Sequence, residues 1–197
     1  MKHHRHVSMT TLQREIREGI ALQGFAIRHV STSNTEPEFT YTVGLHLPGS
    51  SRPELFMSGL SREIRVQWML HLGFLIQGPP PEKARKQMTN VQGVSAEASA
   101  YPEGGRVFQP GVRYLDLTGN GLPTCLGEVD QHYYEDYFGQ ALVFHSPSAF
   151  PVLQIVWPDT RGRFPFEASF ERRFLKMQHL LFDPQRYLPL REAELEQ

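Results

Sequence analysis

Hydroxyl, glycine and imidazole positions alternate with apolar residues along the segment 39–46. This alternation predicts a β-strand with one polar face, which is formed by Thr40, Thr42, Gly44 and His46. If that face forms the floor of a pocket, the glycine leaves room for a ligand and the hydroxyl groups orient it. The alternative is a solvent-facing surface on which Gly44 admits a close neighbour. The sequence leaves both interpretations open.

A second polar group occurs in the block that runs from Gln154 to Glu167. Asp159 and Arg163 lie on either side of a predicted turn, and in a functional interpretation such an Arg–carboxylate pair recognises an anionic or peptide ligand at a cleft rim. In the structural interpretation Asp159 caps its own turn and Arg163 pairs with Asp159 or Glu167. Gln154 lies within an apolar strand, so its amide needs partners in a neighbouring loop or a ligand.

Enzymatic alternatives require a complete set of catalytic side chains. A hydrolase-type enzyme could use His46, Asp159 and Glu167, and a thiol nucleophile could combine Cys125 with a histidine. The chain contains no GxSxG, P-loop or GxGxxG signature, so esterase, NTPase and dinucleotide-binding functions lack their usual motifs. We therefore favour a non-enzymatic protein and expect no cofactor.

A metal site would have to be built around His132 and Asp136, which lie one helical turn apart. His46 or His145 would then have to supply a third ligand from a distant part of the chain. Neither an HExxH nor a CxxC motif is present, and structural zinc normally takes four protein ligands. We therefore expect no metal site.

Length and charge exclude several classes of protein. The 197 residues suffice for one substantial core, and 40% of them are hydrophobic. The formal charge of −1 gives no overall attraction to nucleic acid or to a membrane surface. No apolar run reaches the roughly 18 residues that a transmembrane helix needs, and no signal sequence is recognisable. We expect a cytoplasmic protein that binds neither membrane nor nucleic acid.

Hydrophobic periodicity predicts an α+β fold with one domain over 24–185, in which a mixed or antiparallel sheet packs with helices. An N-terminal helical extension (1–23) precedes this domain and an acidic tail (186–197) follows it. The role of 78–110 stays open. The predicted helices are 9–23, 61–76, 131–145 and a short one at 170–181, and the predicted strands are 25–30, 39–46, 54–58, 112–118 and a hairpin of 153–157 with 163–166.

Four short motifs carry a family resemblance. They are Phe39-Thr-Tyr-Thr-Val-Gly-Leu45, Pro53-Glu-Leu with Gly59-Leu60, Gln154-Ile-Val-Trp-Pro-Asp159, and Gly162-Arg-Phe-Pro-Phe-Glu167. In this combination the chain resembles the bacterial family catalogued as domain of unknown function 4262. It departs from the family pattern at Phe166, where tryptophan is usual. The resemblance implies a family without implying a reaction.

These observations favour a bacterial cytoplasmic module that binds a protein partner or a small ligand. The site is expected to combine the polar face of the 39–46 strand with the Asp159 hairpin, in neighbouring strands or across one sheet. Two alternatives stay open, which are the hydrolase described above and an immunity-type protein of a bacterial conflict system. The basic and aromatic residues that interleave over 161–176 indicate either a solvated face or a nucleic-acid surface, and we favour the solvated face. Homo-oligomerisation also stays open.

Overall fold

The computed structural model describes residues 9–31, 37–88, 101–118 and 121–193. Within these residues, seven strands form one mixed sheet and five α-helices surround it. The strands are β1 (Ala26–Val30), β2 (Phe39–Val43), β3 (Glu54–Ser58), β4 (Val112–Tyr114), β5 (Thr124–Glu128), β6 (Val152–Val156) and β7 (Arg191–Ala193). The helices are α1 (Met9–Gln23), α2 (Arg62–Gln77), α3 (Glu82–Met88), α4 (Tyr134–Tyr137) and α5 (Gly139–His145). The predicted single-domain α+β class is confirmed.

The strand order is β1-β2-β3-β6-β5-β4-β7. Neighbouring strands are antiparallel, except that β3 runs parallel to β6 and β4 runs parallel to β7. β6 therefore lies at the centre, with β3 on one side and β5 on the other. This position explains why β6 is an uninterrupted buried strand, since helices or loops cover both of its faces.

Each face of the sheet has its own core. Helix α2 covers the first face, where Trp68 and Leu72 pack against Leu55 and Met57 of β3. Helices α1, α4 and α5 cover the second face, which includes Phe56 of β3. Apolar side chains of β3 thus contribute to the two layers in alternation, as the period of a strand requires, whereas those of β2 all lie in the second core. Both tryptophans, Trp68 and Trp157, are buried.

Local signals place the two long helices correctly. Helix α1 ends at Gly24, which has a φ of +96° and donates its N–H to the carbonyl of Ile20 at 2.8 Å. Helix α2 begins after Ser61, whose side chain accepts a hydrogen bond from the N–H of Ile64. The predictions for residues 9–23 and 61–76 are confirmed. Among the described helices, none has both the length and the apolar character needed to cross a bilayer.

Of three elements predicted after residue 130, the hairpin is wrong and the two helices are confirmed in part. No hairpin follows β6, because β3 and β5 already occupy both of its edges and residues 163–166 form a loop. The predicted helix over 131–145 divides at Phe138, where φ is −121° and ψ is 27°. The segment 170–181 contains only a 3-10 helix, Arg172–Met177. Phe138 and the tyrosines of this segment, Tyr133, Tyr134 and Tyr137, pack in the second core.

The two chain ends of the described structure contact the sheet. Helix α1 packs on β1 and buries Ile16 in the second core, so it does not stand apart as an extension. Residues 191–193, which the sequence assigns to an acidic tail, form β7 and pair with β4. The remainder of that tail (194–197) and much of the open segment (89–100) lie outside the described residues.

Candidate functional site

The candidate residues fall into two groups at opposite ends of the sheet. β2 runs antiparallel to β3, and β6 runs parallel to β3. Residues that follow β2 therefore lie at the end where β3 begins, whereas residues that follow β6 lie where β3 ends. We call these the Glu54 end (43–46, 53–54 and 151–152) and the Asp159 end (58–60 and 156–160). The expectation that both blocks meet in one cleft is wrong.

The carboxylate of Glu54 is the centre of the Glu54 end. The residue is 0% exposed, and its Oε1 accepts the backbone N–H groups of Gly44 at 2.7 Å and His46 at 3.1 Å. Its Oε2 accepts the Thr42 hydroxyl at 2.6 Å. Gly44 adopts a φ of +95°, a conformation that costs glycine little and turns the chain out of β2. Thr42, Gly44 and His46 of the predicted polar face thus converge on a buried carboxylate.

The hydrogen-bond directions around Glu54 are fixed by its neighbours. The N–H of Leu55 donates to Thr42 Oγ1 at 2.8 Å, so the Thr42 hydroxyl proton points to Glu54. With this donor and two backbone N–H groups, both oxygens of the Glu54 side chain act as acceptors. His145 Nε2 lies 2.8 Å from Oε1 and is therefore a donor. This contact fastens the C-terminal end of α5 to the sheet.

His46 extends the network into the next loop. Its Nδ1 lies 2.9 Å from the carbonyl of Arg52, an atom that can only accept, so Nδ1 carries the proton. Its ring meets His145 edge to face at 5.4 Å between centroids. A Cβ atom on Gly44 would lie 2.6 Å from Cδ1 of Ile20. Here the glycine admits a close protein neighbour, but the expectation that this face is exposed to solvent is wrong, since Thr40, Thr42 and His46 are buried.

Thr40, the remaining residue of the polar face, contacts a buried arginine. Arg65 is 2% exposed, and its Nε donates to Thr40 Oγ1 at 2.9 Å. Its Nη1 donates to the carbonyls of Gly59 at 2.9 Å and Leu60 at 2.7 Å, and its Nη2 reaches the half-exposed Glu38 at 3.1 Å. Leu60 has a φ of +53°, which is uncommon for a branched side chain. Arg65 therefore holds a strained turn in place.

A histidine completes the contacts of Thr40. His29 Nδ1 lies 2.9 Å from Thr40 Oγ1. Burial, together with the guanidinium groups of Arg62 and Arg65, lowers the pKa of His29 to about 4. The imidazole is consequently neutral at physiological pH, and two cations do not have to share this buried position.

The Asp159 carboxylate organises the loop that follows β6. Its Oδ1 accepts the N–H groups of Arg161 at 2.8 Å and Arg163 at 3.0 Å, and its Oδ2 accepts the N–H of Glu171 at 3.1 Å. The Arg163 guanidinium lies 2.9 Å from Oδ2. Burial opposes ionisation of Asp159, but these hydrogen bonds outweigh it and lower the pKa to about 2. Gly162 has the predicted positive φ, +76°.

The Asp159→Asn variant is expected to be less sensitive to acid than the wild type. The pKa of Asp159 is lowered from 3.8 to about 2 on folding, so the ionised form adds stability above the unfolded-state value. That stability is lost as the pH falls through the folded-state value, between about pH 4 and about pH 2. Urea denaturation across this range should show a smaller fall for the variant. At neutral pH we expect a Tm lower by about 3 °C.

The control for this prediction is Asp183→Asn. Asp183 also accepts a turn N–H, from Gln185 at 3.0 Å, but it lies on the exposed surface. Its pH profile should match that of the wild type. Identical acid profiles for wild type and Asp159→Asn would contradict the role that we give to the Asp159 carboxylate.

Glu167 closes the same loop from its other end. Its Oε2 accepts the N–H of Phe164 at 2.7 Å, and its Oε1 pairs with Arg113 of β4. Arg113 also donates to the carbonyl of Gly162 at 3.0 Å and lies over the Phe164 ring at 4.9 Å. The sequence did not identify Arg113 as a partner. An isolated arginine in a predicted strand was the available signal, but its partners lie about 50 residues away.

Gln154 fixes a neighbouring segment. Its Nε2 donates to the carbonyl of His179 at 2.6 Å, and its Oε1 accepts the N–H of Leu181 at 2.7 Å. Both halves of the amide are therefore satisfied by the backbone. The sequence predicts that this amide contacts either a neighbouring loop or a ligand, and the structure shows the contact with a loop.

The enzymatic combinations are not assembled. His46 lies at the Glu54 end, whereas Asp159 and Glu167 belong to the other end, so the three do not form one catalytic set. Burial raises the pKa of the Cys125 thiol to about 12, and the thiol donates to the carbonyl of Leu126. Within the part of the chain that the structure describes, no group of three or more His, Cys, Asp or Glu side chains is arranged to hold a metal ion.

Comparison with known protein families identifies the family of this chain. A sequence model for a domain of unknown function, DUF4262, matches residues 19–171. The protein belongs to the DUF4262 family. Searches of curated proteins and of solved structures found no match. The family resemblance of the motifs is thus confirmed, and the match includes both the Glu54 network and the Asp159 loop.

A groove opens beside the Asp159 loop of this DUF4262 protein. Its volume is about 390 Å³. It lies between the first turns of α2 and the residues that follow β6, and its lining is mainly apolar. The principal lining residues are Leu60, Ile64, Trp68, Trp157, Pro158 and Phe174. We call it the Asp159 groove. Leu60 of the Gly59-Leu60 motif and residues 157–160 of the second block contribute to it, whereas no residue of the 39–46 strand does.

Proposed function

We propose that this DUF4262 protein is a non-enzymatic binding module of the bacterial cytoplasm. Its ligand is an acidic peptide segment of a partner protein that places one apolar side chain in the Asp159 groove. The observation that carries the proposal is the groove itself, an accessible apolar cavity with exposed basic residues close to its lining residues in the chain. Hydrophobic grooves of this kind receive anchor residues of peptides in many recognition modules.

The size and lining of the groove fit an apolar anchor. A volume of about 390 Å³ lies in the range of ligand pockets and accommodates a phenylalanine or leucine side chain with part of its backbone. Trp68 and Trp157 form its base, while Ile64 and Leu122 are 37% and 46% exposed at its edge. Burial of these exposed side chains under a partner favours association.

The charges near the groove favour an acidic partner. Arg163 and Arg173 are paired with carboxylates of the protein. Arg161, Arg172 and Lys176 are exposed, and none has a carboxylate within 4.0 Å among the described residues. Arg161 directly follows the lining residue Thr160 in the sequence, and Arg172 and Lys176 lie on either side of the lining residue Phe174. Acidic residues beside the anchor would therefore meet unneutralised cations, which adds specificity and speeds association.

Two further features support binding over catalysis. Leu60, which lines the groove, is held at a positive φ by the buried Arg65, and backbone strain of this kind concentrates at ligand sites. Asp159 is the acidic residue of the lining, and its pKa of about 2 makes it a weak base at neutral pH. Its oxygens already accept the N–H groups of the loop.

Intrinsic fluorescence tests the proposal directly, because both tryptophans of the chain line the groove. The probe is a short peptide in which one phenylalanine is flanked by glutamates and which contains no tryptophan. We expect a saturable change in emission with roughly micromolar affinity. The affinity should fall as salt is added, since the flanking charges are exposed.

Matched controls distinguish the contribution of the apolar anchor to the affinity from that of the flanking charges. A peptide with alanine in place of phenylalanine should lose binding, and one with lysines in place of the glutamates should bind weakly. In the protein, Arg172→Glu should weaken binding of the acidic peptide, whereas Lys83→Glu on the exposed side of α3 should not. An acidic peptide that leaves the emission unchanged, or equal responses to the acidic and basic peptides, would refute the proposal.

A further inference from the structure

A second cavity lies at the Glu54 end of the molecule. Its volume is about 470 Å³, and it opens between the loop 49–53 and the segment 104–108. Ile76, Phe108 and Leu153 give it an apolar floor, and Arg52 and Arg106 contribute to its wall. We call it the Arg52 cleft. We infer that the Arg52 cleft binds a small organic molecule through an oxyanion, a carboxylate or a phosphate.

The loop that carries Arg52 is held rigidly. The Arg52 carbonyl accepts the Nδ1 proton of His46, and its N–H donates to the Ser50 hydroxyl at 3.4 Å. Two residues further on, the N–H of Glu54 donates to the carbonyl of Pro151 at 2.9 Å. The buried Glu54 network thus fixes the backbone from which the Arg52 side chain extends. Because this backbone is already fixed, the loop loses little conformational entropy when the Arg52 side chain binds an anion.

The Arg52 guanidinium retains capacity for a ligand. Its one hydrogen bond among the described residues is to the Gly104 carbonyl at 3.5 Å, the outer limit of a hydrogen bond. No carboxylate of the described residues lies within 4.0 Å of it. A guanidinium has five N–H donors in a planar fork, which matches the geometry of a carboxylate or phosphate. Arg106 places a second positive charge on the same cavity.

Glu128 limits which anionic ligands the Arg52 cleft can bind. This carboxylate also lines the cleft, on the side formed by β5 and Pro151. A ligand with anions at every end would meet repulsion there, whereas one with a hydroxyl or ammonium group opposite its oxyanion would gain a donor contact. The cleft volume corresponds to a metabolite-sized molecule. The inference does not depend on the Asp159 groove, which lies at the other end of the sheet.

Thermal stability with defined anions tests this inference. The probes are sodium phosphate, propionate and the hydroxy acid glycerate, each compared with sodium chloride at equal ionic strength. Glycerate combines one carboxylate with a hydroxyl group at its opposite end, so we expect the largest effect from it. A saturating probe should raise the Tm by roughly 5–10 °C over chloride. Phosphate alone giving this shift would assign the site to phosphate compounds, and carboxylates alone would assign it to organic acids.

Arg52→Gln should abolish the shift and Arg106→Gln should reduce it, while Arg172→Gln at the opposite end should leave it unchanged. Amide NMR signals of the unmodified protein give a second readout that does not require a folded variant. On titration with glycerate, the signals of Ser51, Gly104 and Arg106 should move and that of Thr160 should not. The inference is overturned if no probe stabilises beyond chloride, if the shift survives Arg52→Gln, or if the NMR changes fall outside the cleft.

Discussion

Replacing Glu54 by alanine is expected to lower the free energy of unfolding by about 4 kcal/mol. The substitution would leave the N–H groups of Gly44 and His46 and the Thr42 hydroxyl without their acceptor in a site that is 0% exposed. It would also leave His145 Nε2 without its acceptor and open a cavity at the start of β3. In a domain of this size the Tm should fall by roughly 8–16 °C.

Glu54→Gln is expected to cost about half as much, roughly 2 kcal/mol. The amide keeps one oxygen for the two backbone N–H groups, and its nitrogen would face the Thr42 oxygen, which can accept. Glu82→Ala removes an exposed glutamate of α3 and should change stability by less than about 0.5 kcal/mol. Chemical denaturation measures all three. If alanine at 54 cost under about 1 kcal/mol, the network would be peripheral to the fold.

Arg65→Met is expected to cost about 3 kcal/mol. Methionine fills much of the arginine volume but leaves the carbonyls of Gly59 and Leu60 and the Thr40 hydroxyl without their donors. The strained turn at Leu60 would then relax, since nothing else in the contacts of Arg65 replaces these bonds. Because Leu60 lines the Asp159 groove, affinity for the acidic peptide should also fall, by roughly tenfold.

Denaturation and the fluorescence titration together test this prediction. Arg62→Met, three positions earlier on the exposed start of α2, controls for the loss of a positive charge near the groove. Arg65→Lys keeps the charge, but one ammonium group cannot reach acceptors on three sides, so its stability should lie between methionine and wild type. Equal stability of the Arg62→Met and Arg65→Met proteins would show that the buried guanidinium is not needed for the turn.

Local signals allowed the sequence to predict much of the fold. The stop of α1 at Gly24 and the cap of α2 at Ser61 depend on residues within one helical turn. The alternation in β2 likewise depends on its own residues. What the sequence could not supply was the order of the strands. The parallel pairing of β3 with β6 joins segments that share no local pattern, and it moved the two polar blocks to opposite ends of the sheet.

The sequence identified several residues of the candidate site but not the role that each residue plays. Thr42, Gly44 and His46 do act together, but Glu54, the residue that unites them, appeared in the sequence only as the middle of a Pro-Glu-Leu motif. Its partner His145 lies 91 positions away. A polar strand face also looks the same in sequence whether water or a buried arginine covers it, so the contact of Arg65 with Thr40 could not be inferred.

The central position of β6 has a consequence for how the chain folds during synthesis. The ribosome synthesises β3 long before β6, although the two strands are neighbours in the sheet. The hydrogen bond from the Trp157 indole to the Ser58 carbonyl spans 99 positions of the sequence. Closing so long a loop carries a large entropic cost, which raises contact order and slows folding. On the ribosome, the β1–β3 meander must therefore wait with one edge unpaired. That interval is when the nascent chain is most exposed to aggregation and most dependent on chaperones.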